Sequence, residues 1–280
     1  MEYSECNQTF MASYNTIEIQ EESSIATVWL NRPEVHNAFN DEMIHELLDF
    51  FTKSQTNDQI RVIVIRGRGK SFCAGADLKW MQTASELDYK QNYLESRTLA
   101  QCLYAVYTSP KPVIALTHGS VMGGGNGLVA AADFAMAVEN SQFAFSEVKL
   151  GLVPAVISPY VFRKIGEARS RELMLLAYTF DAAEAEYFGF VNRITNEPEQ
   201  EYYLGQITEK LLQNNPTALA STKKLLQKLN EIQQPEEWMK YTSEVIAKAR
   251  VSSEGQEGMK AFLNKKKPSW YINNEKIRHR

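Results

Sequence analysis

Short apolar runs separated by polar turns recur along the first half of the chain. Residues 24–30 (SIATVWL) are rich in β-branched side chains and lead into Asn31-Arg32-Pro33, a pattern that predicts a strand ending in a turn. Residues 61–66 (RVIVIR) form a nearly continuous apolar run, which is typical of a strand covered on both faces. On these grounds strands are predicted over residues 24–30, 61–66, 112–116, 134–138 and 142–145.

Helical periodicity appears between and after these runs. A helix is predicted over residues 41–56, because Asn40 and Asp41 offer an N-cap and the apolar side chains that follow recur at helical spacing. A longer helix is predicted over residues 83–108, and from Ile157 onward the pattern predicts helices only. Breaks are expected near Gly166, Gly189, Pro198 and Pro216.

This order of elements predicts an α/β protein in two parts. An α/β core is expected over residues 1–200, followed by a helical region over residues 201–280. With 280 residues, 44% hydrophobic and 23% charged, the composition is that of a globular protein and excludes a disordered or fibrous chain.

Charge and cysteine content narrow the expected partners and compartment. The net charge of -4 provides no basic field for a phosphate backbone, so we expect no nucleic-acid partner. No segment has the apolar length of a membrane span, and the acidic N-terminus with Glu2 and Glu5 does not resemble a signal peptide. Cys6, Cys73 and Cys102 show no CxxC spacing and are expected to be free thiols, as in a cytoplasmic protein.

Several well-known catalytic and binding motifs do not fit. Gly69-Lys70-Ser71 follows a predicted strand, but a P-loop needs a glycine where Val64 stands. The dinucleotide fingerprint would need its third glycine at the position of Leu128. The four histidines are scattered without ligand spacing, so no metal site is expected, and His118 is interpreted as a structural residue.

Two loops that each follow a buried strand remain as candidates for chemistry. They span residues 71–78 (SFCAGADL) and 118–127 (HGSVMGGGNG). Small residues let a ligand approach the main chain, and a helix beginning just after Gly123 would leave free N–H groups pointing at it. Two such loops could hold one oxygen atom between them.

Five segments of the chain resemble, in order and spacing, the crotonase (enoyl-CoA hydratase/isomerase) superfamily. They are Asn31-Arg32-Pro33, residues 72–78 (FCAGADL), residues 111–115 (KPVIA), Gly123-Gly124-Gly125 and residues 145–154 (FSEVKLGLVP). The resemblance covers residues 16–270 and implies a spiral of ββα units with a C-terminal helical region. Within the superfamily, residues 145–160 are most similar to the methylglutaconyl-CoA hydratases of leucine and isoprenoid breakdown.

The resemblance implies roles for particular residues. The main-chain N–H groups of Ala76 and Gly124 would form an oxyanion hole for the carbonyl of an acyl-CoA thioester, and Glu147 would be the acid/base carboxylate. The superfamily's second hydratase carboxylate would fall at Gly127, where either a positive φ or room for a bulky acyl chain would explain a glycine. The expected CoA-binding residues are Ala74, Asp77, Leu78 and Lys79.

One carboxylate leaves three functions open. A single acid/base can hydrate a 2-enoyl-CoA, such as 3-methylglutaconyl-CoA, and it can equally shift a double bond as an isomerase. The third alternative is a catalytically silent acyl-CoA-binding protein. No cofactor is expected, since CoA is part of the substrate, and a distal substrate carboxylate could meet Lys79, Lys149 or Arg163.

The C-terminal segment carries more apolar residues than a solvent-exposed tail needs, so we expect them to pack against another surface. The superfamily forms trimers and dimers of trimers, so the resemblance implies a homotrimer or homohexamer. Lys265-Lys266-Lys267 could reach the CoA phosphates. The apolar residues at helix-compatible spacing in residues 235–267 are Trp238, Met239, Tyr241, Val245, Ile246, Met259, Phe262 and Leu263.

Overall fold

The strands of the protein form two sheets in a computed structural model that describes residues 14–272. The larger sheet has six strands in the order β1-β2-β3-β4-β6-β9, and the smaller has three in the order β5-β7-β8. In the larger sheet β1 is antiparallel to β2 and the other neighbours are parallel. The strands are β1 (Ile17–Glu22), β2 (Ile25–Leu30), β3 (Val62–Gly67), β4 (Val113–Thr117), β5 (Ser120–Met122), β6 (Phe134–Val138), β7 (Gln142–Ala144), β8 (Phe180–Asp181) and β9 (Arg193–Thr195).

The helices of the described residues connect these strands in the first two thirds of the chain and then follow one another without strands. They are α1 (Asp41–Ser54), α2 (Leu78–Glu86), α3 (Tyr89–Thr108), α4 (Gly124–Ala131), α5 (Ser158–Leu176), α6 (Ala182–Tyr187), α7 (Glu197–Gln213), α8 (Pro216–Leu229), α9 (Pro235–Val251) and α10 (Ser253–Leu263). Short 3-10 helices occupy Pro33–Val35 and Glu147–Leu150. The architecture is the α/β class with a helical C-terminal region that the sequence predicts.

The central strands β3 and β4 of the large sheet are buried on both faces, as their continuous apolar sequences indicate. Ile63 and Ile65 of β3 point into the main core together with side chains from α1, α3 and α4. Val62 and Val64 point the other way, into a smaller cluster that is closed by Leu211 and Leu212 of α7. Alternation along a strand sends successive side chains to opposite faces, so a strand between two layers must be apolar at every position.

Three features of the fold differ from the sequence-based expectation. The helix expected over residues 83–108 is two helices, because Leu87 is extended and Asp88 begins α3 with a capping box to Gln91. The region after Ile157 is not purely helical, since it contributes the short strands β8 and β9. Strands β1 and β5 were not expected; half of β1 is exposed, and β5 is only three residues long.

Parallel pairing of β3 with β4 brings the two candidate loops together. The chain leaves neighbouring parallel strands at the same edge of a sheet, so the loops after β3 and β4 start side by side. They are then joined directly: Cys73 N donates to Ser120 O at 3.0 Å, and Met122 N donates to Cys73 O at 2.9 Å. The second loop therefore runs along the first.

The last three helices pack loosely on the rest of the chain. Helices α8, α9 and α10 contain no buried residue, whereas α7 covers one face of the large sheet. The expected boundary at residue 200 falls within α7 and stays a prediction. Within residues 14–272, no helix is both long and apolar enough to cross a membrane.

Candidate active site

The start of α4 is built from glycines because neighbouring groups leave no room for a side chain. A Cβ on Gly124 would lie 2.4 Å from Cδ2 of Phe39, and a Cβ on Gly125 would lie 2.8 Å from Cβ of Cys73. Gly123, the N-cap, has a φ of 46°, a conformation that L side chains rarely adopt. The glycine triplet therefore lets the main chain of α4 reach the neighbouring loop.

The first turn of α4 leaves a free amide at the loop junction. Gly127 N donates to Gly123 O at 3.3 Å, and the N–H groups before it precede the first helical hydrogen bond. Gly125 N–H is directed at the thiol of Cys73, whose burial raises its pKa to about 12. Gly124 N–H has no hydrogen-bond partner among the described residues, so it can donate to a ligand.

Ala76 supplies a second free amide from the neighbouring loop. It lies in an isolated parallel bridge to Phe39, in which Phe39 N donates to Gly75 O at 2.7 Å and Asp77 N donates to Phe39 O at 2.8 Å. In such a bridge the N–H of Ala76 points away from Phe39. It has no partner within residues 14–272, and the two loops approach closely, since a Cβ on Gly123 would lie 3.7 Å from Cα of Gly75.

Glu147 brings a carboxylate to the start of α4, beside Gly123. It begins a 3-10 helix that ends at Gly151, whose φ of 71° reverses the chain, and Leu152 N donates to Glu147 O at 3.0 Å. Its Oε1 would lie 3.5 Å from a Cβ on Gly123. Its Oε2 is buried and has no hydrogen-bond partner among the described residues.

Burial makes this carboxylate a better proton acceptor than an ordinary glutamate. Desolvation raises the pKa of Glu147, and a hydrogen bond from its own backbone N–H only partly opposes that shift. A buried carboxylate with a raised pKa and a free oxygen, beside two free N–H donors, is a typical catalytic arrangement. The three groups can stabilise an oxyanion and move a proton.

Comparisons with known proteins identify the family of this chain. Residues 20–273 match the model of the family described as enoyl-CoA hydratase/isomerase. The chain belongs to this family. A Thermus thermophilus protein, named provisionally as an enoyl-CoA hydratase, is 34% identical over 248 residues, which are 89% of this chain and 98% of the relative.

Both activities of the enoyl-CoA hydratase/isomerase family occur in the names of its relatives. A Streptococcus mutans protein named trans-2-decenoyl-[acyl-carrier-protein] isomerase is 28% identical and covers 89% of this chain and 95% of its own length. The crystal structure of an enoyl-CoA hydratase from Shewanella pealeana superposes with a TM-score of 0.89 at 37% identity, covering 91% of this chain and 96% of that chain. The spiral fold implied by the sequence motifs is thereby confirmed.

The residues expected to bind CoA lie in the loop of residues 71–78, which carries Ala76, and at the start of α2. Asp77 caps α2 by accepting a hydrogen bond from Lys79 N at 2.8 Å, while Leu78 is 81% exposed. Lys79 is also exposed, and Ala74 N is occupied by His36 O at 3.0 Å. Their contact with CoA stays a prediction, and the carboxylate of Asp77 is already engaged within the protein.

The carboxylate of Asp77 is bound by Arg32, a residue for which the sequence pattern suggests no role. Arg32 Nη2 donates to Asp77 Oδ2 at 2.7 Å, and both side chains are largely buried. Burial alone would raise the pKa of Asp77, but the hydrogen bonds from Arg32 and from Lys79 N bring it below its ordinary value. Arg32 belongs to the motif Asn31-Arg32-Pro33, which indicates the family. The motif alone does not show that Arg32 contacts Asp77.

Gly127 is a glycine for a reason that the sequence did not reveal. Its φ is not positive, so the first explanation is wrong. A Cβ there would lie 2.7 Å from Cγ2 of Ile157 and 2.8 Å from Cδ1 of Leu103. The place of a second carboxylate is thus filled by two apolar side chains of this protein, rather than held open for an acyl chain.

The histidine and cysteine candidates from the sequence do not add a chemical group to this site. His118 Nε2 is 3.0 Å from Gly69 O, and burial lowers the pKa of His118, in keeping with a structural role. Within residues 14–272, no three His, Cys, Asp or Glu side chains are grouped to hold a metal ion. Cys73 and Cys102 are buried free thiols, and Cys6 lies outside the described residues.

Proposed function

We propose that this chain is an acyl-CoA hydratase that adds water to the double bond of a 2-enoyl-CoA thioester, or removes it in the reverse direction. The observation that supports it most directly is the buried, unpartnered Oε2 of Glu147 beside the free amides of Ala76 and Gly124. A carboxylate with no protein partner has an acceptor free for the proton of a water molecule. No cofactor is required for this chemistry.

The proposed reaction uses the two amides and the one carboxylate in turn. The N–H groups of Ala76 and Gly124 donate to the thioester oxygen, on which negative charge develops; each such donor is worth about 3 kcal/mol in other enzymes. Glu147 takes a proton from water as the water oxygen bonds to C3, and the C2=C3 electrons move toward the carbonyl. Glu147 then returns that proton to C2, which leaves a 3-hydroxyacyl-CoA.

The acyl group that we propose is branched and carboxylated, as in 3-methylglutaconyl-CoA. The support is the similarity of residues 145–160 to hydratases of that substrate. Lys79, Lys149 and Arg163 have no ion pair within residues 14–272, and these three cations are the candidates for pairing with a distal carboxylate. A panel of enoyl-CoA thioesters with and without that carboxylate, assayed on single Lys79→Met, Lys149→Met and Arg163→Met variants, tests this point.

Double-bond isomerisation is the second candidate, and one observation favours it. The filling of the Gly127 position by Ile157 and Leu103 leaves a single carboxylate, and a 1,3-proton shift needs only one base. Offering a 3-enoyl-CoA and following the conjugated 2-enoyl product separates isomerase from hydratase. Tight binding of an acyl-CoA with no turnover of either substrate would instead indicate a silent binding protein.

Replacement of Glu147 tests the proposed hydratase. Glu147→Gln is expected to lower kcat for hydration at least ~100-fold with little change in thioester binding, since the shape remains while the proton carrier is lost. Loss of absorbance of the enoyl thioester measures the rate. Glu139→Gln, at an exposed position, is the matched control and should keep the wild-type rate. Near-normal turnover in Glu147→Gln would contradict the proposal.

The pH dependence of the rate provides an independent check on the same group. Hydration needs the ionised carboxylate, so kcat should fall on the acid side as Glu147 becomes protonated. Because burial raises the pKa of Glu147, this fall should begin at a higher pH than for an ordinary glutamate. A kcat that follows the ordinary glutamate pKa would place the essential base elsewhere.

A further inference from the structure

One residue outside the three chemical groups touches both halves of the oxyanion hole. Phe39 lies between the turn after Asn31-Arg32-Pro33 and the start of α1, and only 1% of its surface is exposed. Its main chain contacts the loop that carries Ala76, and its ring contacts the helix that carries Gly124. No motif in the sequence points to a function for it.

The main chain of Phe39 fixes the direction of the Ala76 amide. Phe39 N donates to Gly75 O at 2.7 Å, and Phe39 O accepts from Asp77 N at 2.8 Å, so the two hydrogen bonds enclose Ala76. Both peptide groups that flank Ala76 are thereby held. Rotation of the Ala76 N–H away from the site would break at least one of these hydrogen bonds.

The ring of Phe39 sets how closely Gly124 can approach. A Cβ on Gly124 would lie 2.4 Å from Cδ2 and 2.6 Å from Cε2 of the ring, so the ring rests directly on the helix backbone. Interiors are close-packed, and a void beside a helix terminus would let it shift. The aromatic side chain thus acts as a spacer of fixed thickness between the main chain of Phe39, which pairs with the loop of Ala76, and the backbone of α4 at Gly124.

The segment that carries Phe39 is itself held on both sides. Arg32 Nη1 donates to Ala38 O at 2.6 Å while Arg32 Nη2 reaches Asp77 at 2.7 Å, so one guanidinium joins the residues that flank Phe39 and Ala76. Asn37 Nδ2 donates to Arg68 O at 2.7 Å and to Ser71 O at 2.8 Å. These hydrogen bonds fix the main chain on the N-terminal side of Phe39.

We infer that Phe39 is a positioning residue that sets the separation and direction of the two oxyanion donors, with Arg32 holding it in register through Ala38 and Asp77. The inference rests on the proposed function, because it concerns how the Ala76 and Gly124 amides meet a thioester oxygen. A displacement of about 1 Å at a reacting group can cost ~100-fold in rate. A residue that fixes where the two donors lie is therefore a determinant of turnover without being one of the groups that react.

Phe39→Leu tests this role, with Phe51→Leu as the matched control because Phe51 is equally buried but lies within α1. Phe39→Leu should lower kcat at least ~10-fold with KM within about threefold of wild type. The C=O stretching frequency of bound ¹³C-labelled enoyl-CoA, measured by infrared difference spectroscopy, should move toward that of the free thioester. Phe51→Leu should lower Tm and leave both readouts unchanged.

A double-variant cycle keeps the test decisive if Phe39→Leu is poorly folded. Gly124→Ala should strongly reduce kcat when Phe39 is present, because the new methyl group meets the ring. In a Phe39→Ala background the same change should cost much less. Equal losses in the two backgrounds, or a Phe39→Leu variant with wild-type kcat and C=O frequency, would overturn the inference alone. If the wild-type protein does not perturb the C=O band of any enoyl-CoA, the proposed function fails, and this inference fails with it.

Discussion

Helix α4 and the pair α9 and α10 place apolar residues in opposite surroundings. Seven of the eight residues of α4 are buried, whereas neither α9 nor α10 contains a buried residue. Yet the latter pair carries the larger apolar side chains, among them Phe262, which is 83% exposed. A single chain thus buries α4 but leaves the apolar side chains of α9 and α10 exposed. Large exposed apolar surfaces mark sites of association in other proteins.

Removal of the second region should have the largest effect on assembly and leave the core folded. All buried residues of the described chain precede residue 213, so a chain cut after Gln234 keeps them. We expect the full-length protein to be an oligomer, most simply a hexamer, and the shortened chain to be a monomer with weakened CoA affinity. Light scattering at micromolar concentration and titration with an acyl-CoA measure the two properties. An active shortened monomer, or a monomeric full-length chain, would contradict this prediction.

A glutamate introduced into α4 should destabilise the chain far more than a glutamate introduced into α9. Gly127→Glu would put a carboxylate against Ile157 and Leu103, and an unpaired buried charge costs about 3–5 kcal/mol of unfolding free energy. Ala247→Glu places the same group on the exposed surface of α9 and should change the stability of the subunit very little. Denaturant unfolding of both variants measures the difference. Equal stabilities would show that the packing around Gly127 is loose.

Helix α8 lies between the two regions in the chain, and breaking its contact with the core should have an intermediate effect on the stability of the folded chain. Lys223 of α8 donates to Asp133 at 2.5 Å and to Lys111 O at 3.0 Å, which ties the C-terminal region to the chain just after α4. Lys223→Met should lower the unfolding free energy by about 1–3 kcal/mol at neutral pH, because Asp133 loses a charged donor. Exposed Lys224 provides the control: thermal unfolding should distinguish Lys223→Met from Lys224→Met, and identical Tm values would show that the tie is unimportant.

The smallest effect on the stability of the folded chain is expected at Phe262, the exposed ring of α10. Phe262→Ala removes an exposed ring and should change the unfolding free energy of the dissociated subunit by less than about 0.5 kcal/mol. It should weaken assembly, which dilution followed by size-exclusion chromatography detects. A large loss of subunit stability with unchanged assembly would mean that the ring packs on its own chain.

The sequence alone determined the parts of this protein that depend on local pattern. The apolar runs at β3 and β4 predict strands buried on both faces, and both strands have that environment. Helix α1 begins where its cap predicts, since Asn40 accepts a hydrogen bond from Met43 N. The ordered motifs were sufficient for the family, because glycines, prolines and a carboxylate at fixed spacing are read along the chain.

Contacts between distant segments were decided only by the tertiary structure. Strands β8 and β9 have two and three residues, too few for a period, and exist because neighbouring strands pair with them. Gly127 is a glycine because Leu103 and Ile157 fill the adjacent space, and Asp77 is bound to Arg32, 45 positions away in the chain. Phe39 likewise meets Gly124 only after folding. Periodicity and spacing describe the neighbours of a residue along the chain. Close packing and hydrogen bonding depend on its neighbours in space, which only folding brings together.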